Sequence, residues 1–347
     1  MNTDATPERL LWPDLIRALA IALVVAVHVS GQILNNGYYT VKPIAWWFAL
    51  AVNGIGRCGV PLFFMISGAL LLGKANEPIS TFFRKRASRI GIAFIVWSMV
   101  YLIIVSVRTH VPLTPAKYFG ILATPAYYHL WFFYSIIGLY LLVPVFRFLD
   151  ANGMKYVSIF WLCSIPVLFM LHKVYSFTIQ GNFTNIFPTY AGFLTIGYQL
   201  AKGKYNRGVL ILSAVVFVLG SIVSVGGTGI VNMRHNGALD TFLYDYRALN
   251  IIAMSVALFI LLQKWGSVVW PAAARSAVQS ISACGLGIFV IHPLLLDALR
   301  SGKFGISLSS NAGNPLLSLP LTFVVVMLLS WLITFLILKI PVLRACV

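Results

Sequence analysis

The sequence predicts an all-α fold: a polytopic bundle of about ten transmembrane helices, both termini cytoplasmic. Three observations carry that expectation. Hydrophobic residues make up 60% of the 347 residues and charged residues only 10%, with a mean hydropathy of +0.90. A soluble domain carries roughly 25% charged residues, so a chain this poor in charge cannot cover a water-facing surface. Apolar runs near the length of a bilayer span recur along the chain, and the basic residues gather between them.

Ten runs are read, at about residues 15–34, 47–73, 87–107, 130–149, 156–171, 187–201, 208–226, 248–264, 280–298 and 316–338, each judged against about 20 residues per span. The first follows Arg17 and is too long for the apolar core of a cleaved signal peptide, and Asp4 and Glu8 precede it, so it stays as a helix. The second is long, which predicts a tilt or a break near Gly59-Val60-Pro61. The fifth and sixth are short. With the N-terminus inside, sixteen of the 25 Lys and Arg fall on cytoplasmic segments. The other nine (Lys42, Arg57, Arg108, Lys117, Lys173, Arg234, Arg247, Arg300 and Lys303) fall outside. That split sets the orientation.

The net charge of +17 therefore reads as topology rather than nucleic-acid binding, because no basic segment is extensive enough to track a phosphate backbone. Cys58, Cys163, Cys284 and Cys346 form no CxxC and indicate neither a zinc site nor a disulfide framework; no metal is expected. No internal repeat is visible, and residues 1–347 read as one membrane domain without an attached hydrophilic catalytic domain. The longest stretch outside the membrane, about 227–247 with Gly226-Gly227, Asp240 and Asp245, reads as a functional loop or lid. Asn182-Phe183-Thr184 fits a glycosylation sequon but carries no weight by itself.

Ionisable residues inside a membrane helix are functional candidates because burying them is costly. The first helix holds Asp14, Arg17 and His28. Eleven residues at about 100° each leave Arg17 and His28 only about 20° apart after three turns. Asp14 lies three residues before Arg17, close enough to pair on the same face. One stripe is thus polar and must face protein or a water-filled cavity. The rise per residue puts His28 roughly 16 Å beyond Arg17, past the midplane towards the outside. Neutral imidazole suits a general base; a helix-packing His bonded to a neighbour is the competing reading.

Four basic residues, Arg84, Lys85, Arg86 and Arg89, fall within six positions of Phe82-Phe83-Arg84-Lys85-Arg86-Ala87-Ser88-Arg89-Ile90, at the cytoplasmic start of the third helix. They suit either anionic lipid or a polyphosphate ligand, since Arg matches phosphate oxygens in a bidentate way. Arg86 and Arg89, three apart, share a face. In Gly59-Val60-Pro61-Leu62-Phe63-Phe64-Met65-Ile66-Ser67-Gly68, the small Ser67 and Gly68 favour close helix packing, and no Gly-x-Ser-x-Gly elbow makes Ser67 a nucleophile. Tyr127-Tyr128-His129-Leu130-Trp131-Phe132-Phe133-Tyr134 reads as an interfacial aromatic belt that could also hold a sugar. His292, in Ile288-Phe289-Val290-Ile291-His292-Pro293 with Asp297 five residues on, is a lone imidazole in an apolar run.

Taken together these blocks resemble the acyltransferase 3 family of bacterial membrane proteins. Asp14 to Ala20 with His28 resembles its first helix, Gly59 to Gly68 its second-helix signature, and Arg86-Ala87-Ser88-Arg89 its Arg-x-x-Arg motif. His129-Leu130-Trp131-Phe132 and Ile291-His292-Pro293 resemble two further blocks, in the expected order. The enterobacterial common antigen and exopolysaccharide O-acetyltransferases are similar to it. The resemblance implies transfer of an acetyl or other short acyl group from cytoplasmic acyl-CoA to a carbohydrate hydroxyl, in a bacterial inner membrane. In that picture His28, Arg17 and Asp14 form the catalytic set. Arg86 and Arg89, with Arg84 and Lys85, serve the CoA side. His129, Trp131, Tyr134, His292 and Ser67 are the acceptor-facing candidates. A covalent acyl intermediate on His28 or on a tyrosine such as Tyr134 is compatible with the same residues. Members with an extracellular hydrolase-like domain complete the transfer there; this sequence shows none, so direct acylation or a separate partner is implied. A secondary transporter or flippase is the main rival, since buried Arg and His with broken helices suit one, and a non-catalytic sensor is the second.

Overall fold

The computed structural model describes residues 10–36, 42–74, 76–149, 151–175, 182–235, 239–302, 305 and 307–347. The readings placed on Asp4, Glu8, Arg9 and Lys303 lie outside the described residues, as do those on the side chains of Lys173 and the sequon Asn182-Phe183-Thr184. Among the described residues all regular structure is helical. The helices are α1 (Trp12–Leu34), α2 (Pro43–Gly56), α3 (Gly59–Leu71), α4 (Ile79–Arg86), α5 (Ile92–Thr109), α6 (Pro115–Gly120), α7 (Trp131–Arg147), α8 (Ala151–Tyr175), α9 (Asn182–Ala201), α10 (Arg207–Ile222), α11 (Thr228–Arg234), α12 (Leu249–Trp265), α13 (Ala272–Ala283), α14 (Gly285–Arg300) and α15 (Pro315–Lys339).

Among the described residues eight segments are long and apolar enough to cross a membrane, and nine if the α13–α14 pair, bent by 71°, is one span. The remaining expected run, the sixth, at 187–201, lies in the 20-residue α9. The chain is a polytopic integral membrane bundle. Apolar side chains of α5, α10 and α15 point outwards, which suits lipid because the backbone of each is satisfied within its own helix. The centre is α1, packed against α2, α3, α12, α13, α14 and α15.

Several expectations change. The second run breaks at Arg57-Cys58, just ahead of the anticipated Gly59-Val60-Pro61, between α2 and α3. Pro61 falls in the first turn of α3, where its missing N–H forfeits no helical bond. Residues 43–71 remain one span, so Arg57 sits midway along it and not in an outer loop. The basic cluster is on a helix that continues into the third span: α4 joins α5 through a π-helical turn, Ala87–Gly91. The anticipated loop at 227–247 is largely ordered helix. A π-turn, Val223–Gly227, carries the seventh run on into α11, and the 3₁₀ turn Phe242–Tyr244 buries Tyr244 in the core. The run at 280–298 bends sharply at Cys284, between α13 and α14.

Small residues set the closest helix contact, as the Ser67-Gly68 pair predicts. A Cβ on Gly68 would stand 1.7 Å from the carbonyl oxygen of Leu194 in α9, and one on Gly197 would stand 2.0 Å from that of Met65 in α3. The two backbones meet with no room for a side chain. Gly68→Val is expected to force α3 and α9 apart and destabilise the bundle by about 1–3 kcal/mol or more. The check is the thermal midpoint of detergent-solubilised protein; an unchanged midpoint contradicts this packing.

Candidate active site

Three imidazoles converge where α1, α14 and the 3₁₀ turn Tyr128–Leu130 meet. His28 comes from α1, His292 from α14 and His129 from the turn. His28 Nδ1 lies 2.8 Å from His292 Nε2, with the rings stacked at 5.0 Å. His292 Nδ1 lies 3.0 Å from the carbonyl oxygen of Ile288. A carbonyl oxygen only accepts, so His292 Nδ1 carries a proton and donates to it. With both rings neutral, His292 Nε2 is then an acceptor, His28 Nδ1–H donates to it, and His28 Nε2 bears a lone pair. The two histidines thus form a relay that fixes the tautomer of His28.

That relay borders a small cavity of about 20 Å³, lined by His28, His129, Trp131, Phe132, Tyr246 and Phe289 with small aliphatic residues of α1 and α3. It has room for about one water. His129 is 1% exposed, and neither of its ring nitrogens has a hydrogen-bond partner. On the outer side Tyr128 sits edge-on to His28 at 5.1 Å, and Tyr127 donates to Asp297 at 2.5 Å beside the Arg108–Asp297 ion pair at 2.6 Å. Trp131 stacks with Tyr190 at 5.6 Å and faces Tyr246 at 6.0 Å.

Arg57 is the residue that sequence reasoning misplaced. It lies within electrostatic reach of His28. Its Nε donates to Asn53 Oδ1 at 3.1 Å, and Asn53 in turn donates to the Val27 carbonyl and to Ser30 Oγ of α1, each at 3.0 Å. The guanidinium lies over the rings of Tyr244 and Tyr246, at 4.4 and 5.5 Å. Tyr246 was likewise unread. The sequence signal for Arg57 is an Arg followed within four residues by a Pro, inside an apolar run longer than the usual span of about 20 residues.

Towards the cytoplasm, Asp14 is buried, 3.4 Å from Arg17 Nη1, and accepts a hydrogen bond from Ser282 Oγ at 2.8 Å. The predicted Asp14–Arg17 pairing is present. Arg17, Arg86 and Arg89 all lie within electrostatic reach of Tyr140, so the first-helix stripe and the Arg-x-x-Arg segment face one region. Arg86 stacks on Phe82 at 5.1 Å and Tyr140 at 5.9 Å, while Arg89 and Arg84 are exposed. Lys85 is instead engaged by Glu77 at 3.1 Å, which also accepts from Arg147 at 3.1 Å. The hydrogen bond from Arg147 holds the Glu77 carboxyl below the usual range, against a smaller opposing effect of burial.

Of the acceptor-facing candidates, the structure brings His129, Trp131 and His292 to His28. It does not bring Tyr134 or Ser67 there. The Tyr134 hydroxyl donates to the carbonyl of Ile121, and the Ser67 hydroxyl to the carbonyl of Phe63 at 2.8 Å within its own helix.

Two half-sites therefore share α1: an imidazole relay beside a small cavity, and a basic region near its N-terminal end. A family model for an acyltransferase domain matches residues 10–335, which spans both. The chain belongs to the acyltransferase 3 family. It is also 25% identical to an amino-acid racemase of Enterococcus faecalis over 349 aligned residues, covering 91% of this chain and 45% of that protein. The chain thus spans under half the length of that curated relative. No solved structure matches the chain. Residues 10–335 thus form an acyltransferase domain of an integral membrane protein.

Proposed function

We propose that this acyltransferase 3 chain is an O-acyltransferase. It moves an acetyl or short acyl group from cytoplasmic acyl-CoA to a carbohydrate hydroxyl of a surface polysaccharide or lipid-linked glycan, in a bacterial inner membrane. The observation that carries the reading is the His292–His28 relay, which leaves His28 Nε2 with a free lone pair on a residue that lines a small cavity. A lone pair so fixed can take a proton from an attacking hydroxyl. The hydroxyl oxygen bonds to the thioester carbonyl carbon, the C–S bond breaks, and the CoA thiolate leaves with the proton that His28 received. The cavity must widen for this, since it has room for about one water as it stands.

The donor's phosphates belong at the other end of α1. Arg17, Arg86 and Arg89 face Tyr140 together, and guanidinium groups match phosphate oxygens. Arg84 is exposed nearby, whereas Lys85 contributes only if its pairing with Glu77 opens. Trp131, Tyr246 and His129 are the groups placed to meet the acceptor. Tyr134 and Ser67 drop out of the acceptor set, since their hydroxyls are bonded to the carbonyls of Ile121 and Phe63. The racemase name belongs to a protein more than twice as long as the matched segment, and its chemistry is not assigned to this chain.

The test is acetyl-CoA binding and turnover by the purified chain, beside Arg86→Ala. Wild type is expected to bind acetyl-CoA and release CoA slowly, and Arg86→Ala to weaken binding about tenfold or more, as loss of a charge-assisted contact worth about 1.5–3 kcal/mol implies. Two interruptions, at Arg57-Cys58 and at Cys284, also suit a transporter or flippase. A wild-type chain that ignores acetyl-CoA yet moves a glycan or small metabolite across liposomes would establish that reading instead.

A further inference from the structure

Resting on the acyltransferase reading, we propose that His129 is a catalytic residue that donates a hydrogen bond to the thioester carbonyl oxygen as it becomes an oxyanion. The starting point is an imbalance in the cavity. His129 is buried to 1% exposure with both ring nitrogens unpartnered, while the neighbouring His28 and His292 are hydrogen-bonded in series. An unmade hydrogen bond on a buried group is destabilising, and such groups in a native fold call for a partner outside the protein.

The surroundings say what that partner is. The ring of His129 is enclosed by Tyr101 at 4.8 Å, Phe289 at 5.3 Å, Tyr128 at 5.5 Å and His292 at 5.8 Å. Two of the tyrosines beside it are committed elsewhere: Tyr101 donates to the Val290 carbonyl at 2.7 Å and Tyr127 to Asp297. His129 lines the same small cavity as His28. A neutral imidazole has one N–H to give, and a neutral imidazole polarising a carbonyl is sound catalytic chemistry. His28 Nε2 takes up the hydroxyl proton. His129 therefore fits the other need of acyl transfer, a donor aimed at the oxygen on which charge develops. As the C–O bond forms, the carbonyl oxygen gains charge and the His129 N–H shortens its bond to it. As the C–S bond breaks, the carbonyl re-forms. His129 keeps its proton throughout, and the thiolate takes its proton from His28.

The experiment is steady-state acyl transfer by wild type and three variants: His129→Ala, His129→Asn and His129→Gln. The two amides place an N–H near Nδ1 or Nε2. His129→Ala is expected to lower kcat by about 10²–10³-fold with KM for acyl-CoA unchanged, and one of the amides to restore at least part of it. Loss confined to a raised KM for the acceptor would make His129 a substrate-holding group and overturn the proposal. So would amide variants that fold like wild type yet do no better than alanine. A second measurement needs no turnover. In a His28→Ala background, infrared spectra of carbonyl-¹³C acyl-CoA are expected to show a lower C=O frequency with His129 present than with His129→Ala; equal frequencies would overturn the proposal. A wild-type chain inert towards acyl-CoA is seen before any substitution is made, and it removes the acyltransferase reading together with this role.

Discussion

Turnover of acetyl-CoA is expected to fall by about 10²–10⁴-fold on replacing His28 by alanine, the range over which a positioned general base acts. At 1.36 kcal/mol per factor of ten, that is about 3–5 kcal/mol of the barrier. Binding of acetyl-CoA is expected to persist, because the basic residues that face the cytoplasmic end of α1 are remote from His28: Arg17 is about 16 Å away along the helix axis. The contrast between lost turnover and kept binding separates a catalytic His28 from one that only packs helices. A packing histidine would give a variant with lowered thermal stability and proportionate loss of both. A variant that keeps more than a tenth of wild-type turnover at full occupancy would remove His28 from the chemistry. His28→Gln serves as the size control, since it fills the same space and can bond to His292 but offers no comparably basic nitrogen.

The helical bundle was legible from composition because lipid tolerates few solutions: every backbone group must be satisfied within its helix. The polar stripe of α1 was legible too, since Arg17 and His28 are placed by helical geometry alone, and the Asp14–Arg17 contact follows from a spacing of three. What could not be read is whatever depends on packing between distant segments. His28 and His292 are 264 residues apart, and neither periodicity nor spacing relates α1 to α14. Arg57 counts among the outer charges in the sequence reading, although it falls within the 47–73 run. The structure keeps it inside the span because Asn53 holds it, bonded in turn to α1. Lys85 was grouped with its basic neighbours, but Glu77, on the turn before α4, draws it away. Tyr134 and Ser67 point to carbonyls on their own side of the bundle. Their residue types were right for a site, and only helix rotation decided that they do not reach it.

The second large effect is expected at His292, which acts through His28. Replacing it by leucine removes the acceptor of the His28 Nδ1 proton. His28 is then free to turn its ring or to place its proton on Nε2, the nitrogen required as base. Where a base loses the partner that fixes its tautomer, rate losses reach about 10⁴-fold with the geometry otherwise kept, so His292→Leu is expected to approach the effect of His28→Ala. His292→Gln separates orientation from mere packing. Its side-chain oxygen can accept from His28 Nδ1–H while its amide donates to the Ile288 carbonyl that His292 Nδ1 occupies in the wild type. Turnover restored by glutamine above leucine, at equal thermal stability, assigns His292 to positioning. Equal losses in both variants would mean that the imidazole itself is needed, as a second proton carrier. Wild-type turnover in His292→Leu would mean that the 2.8 Å contact has no part in the reaction, and the lone pair of His28 would then have to be held by some other group.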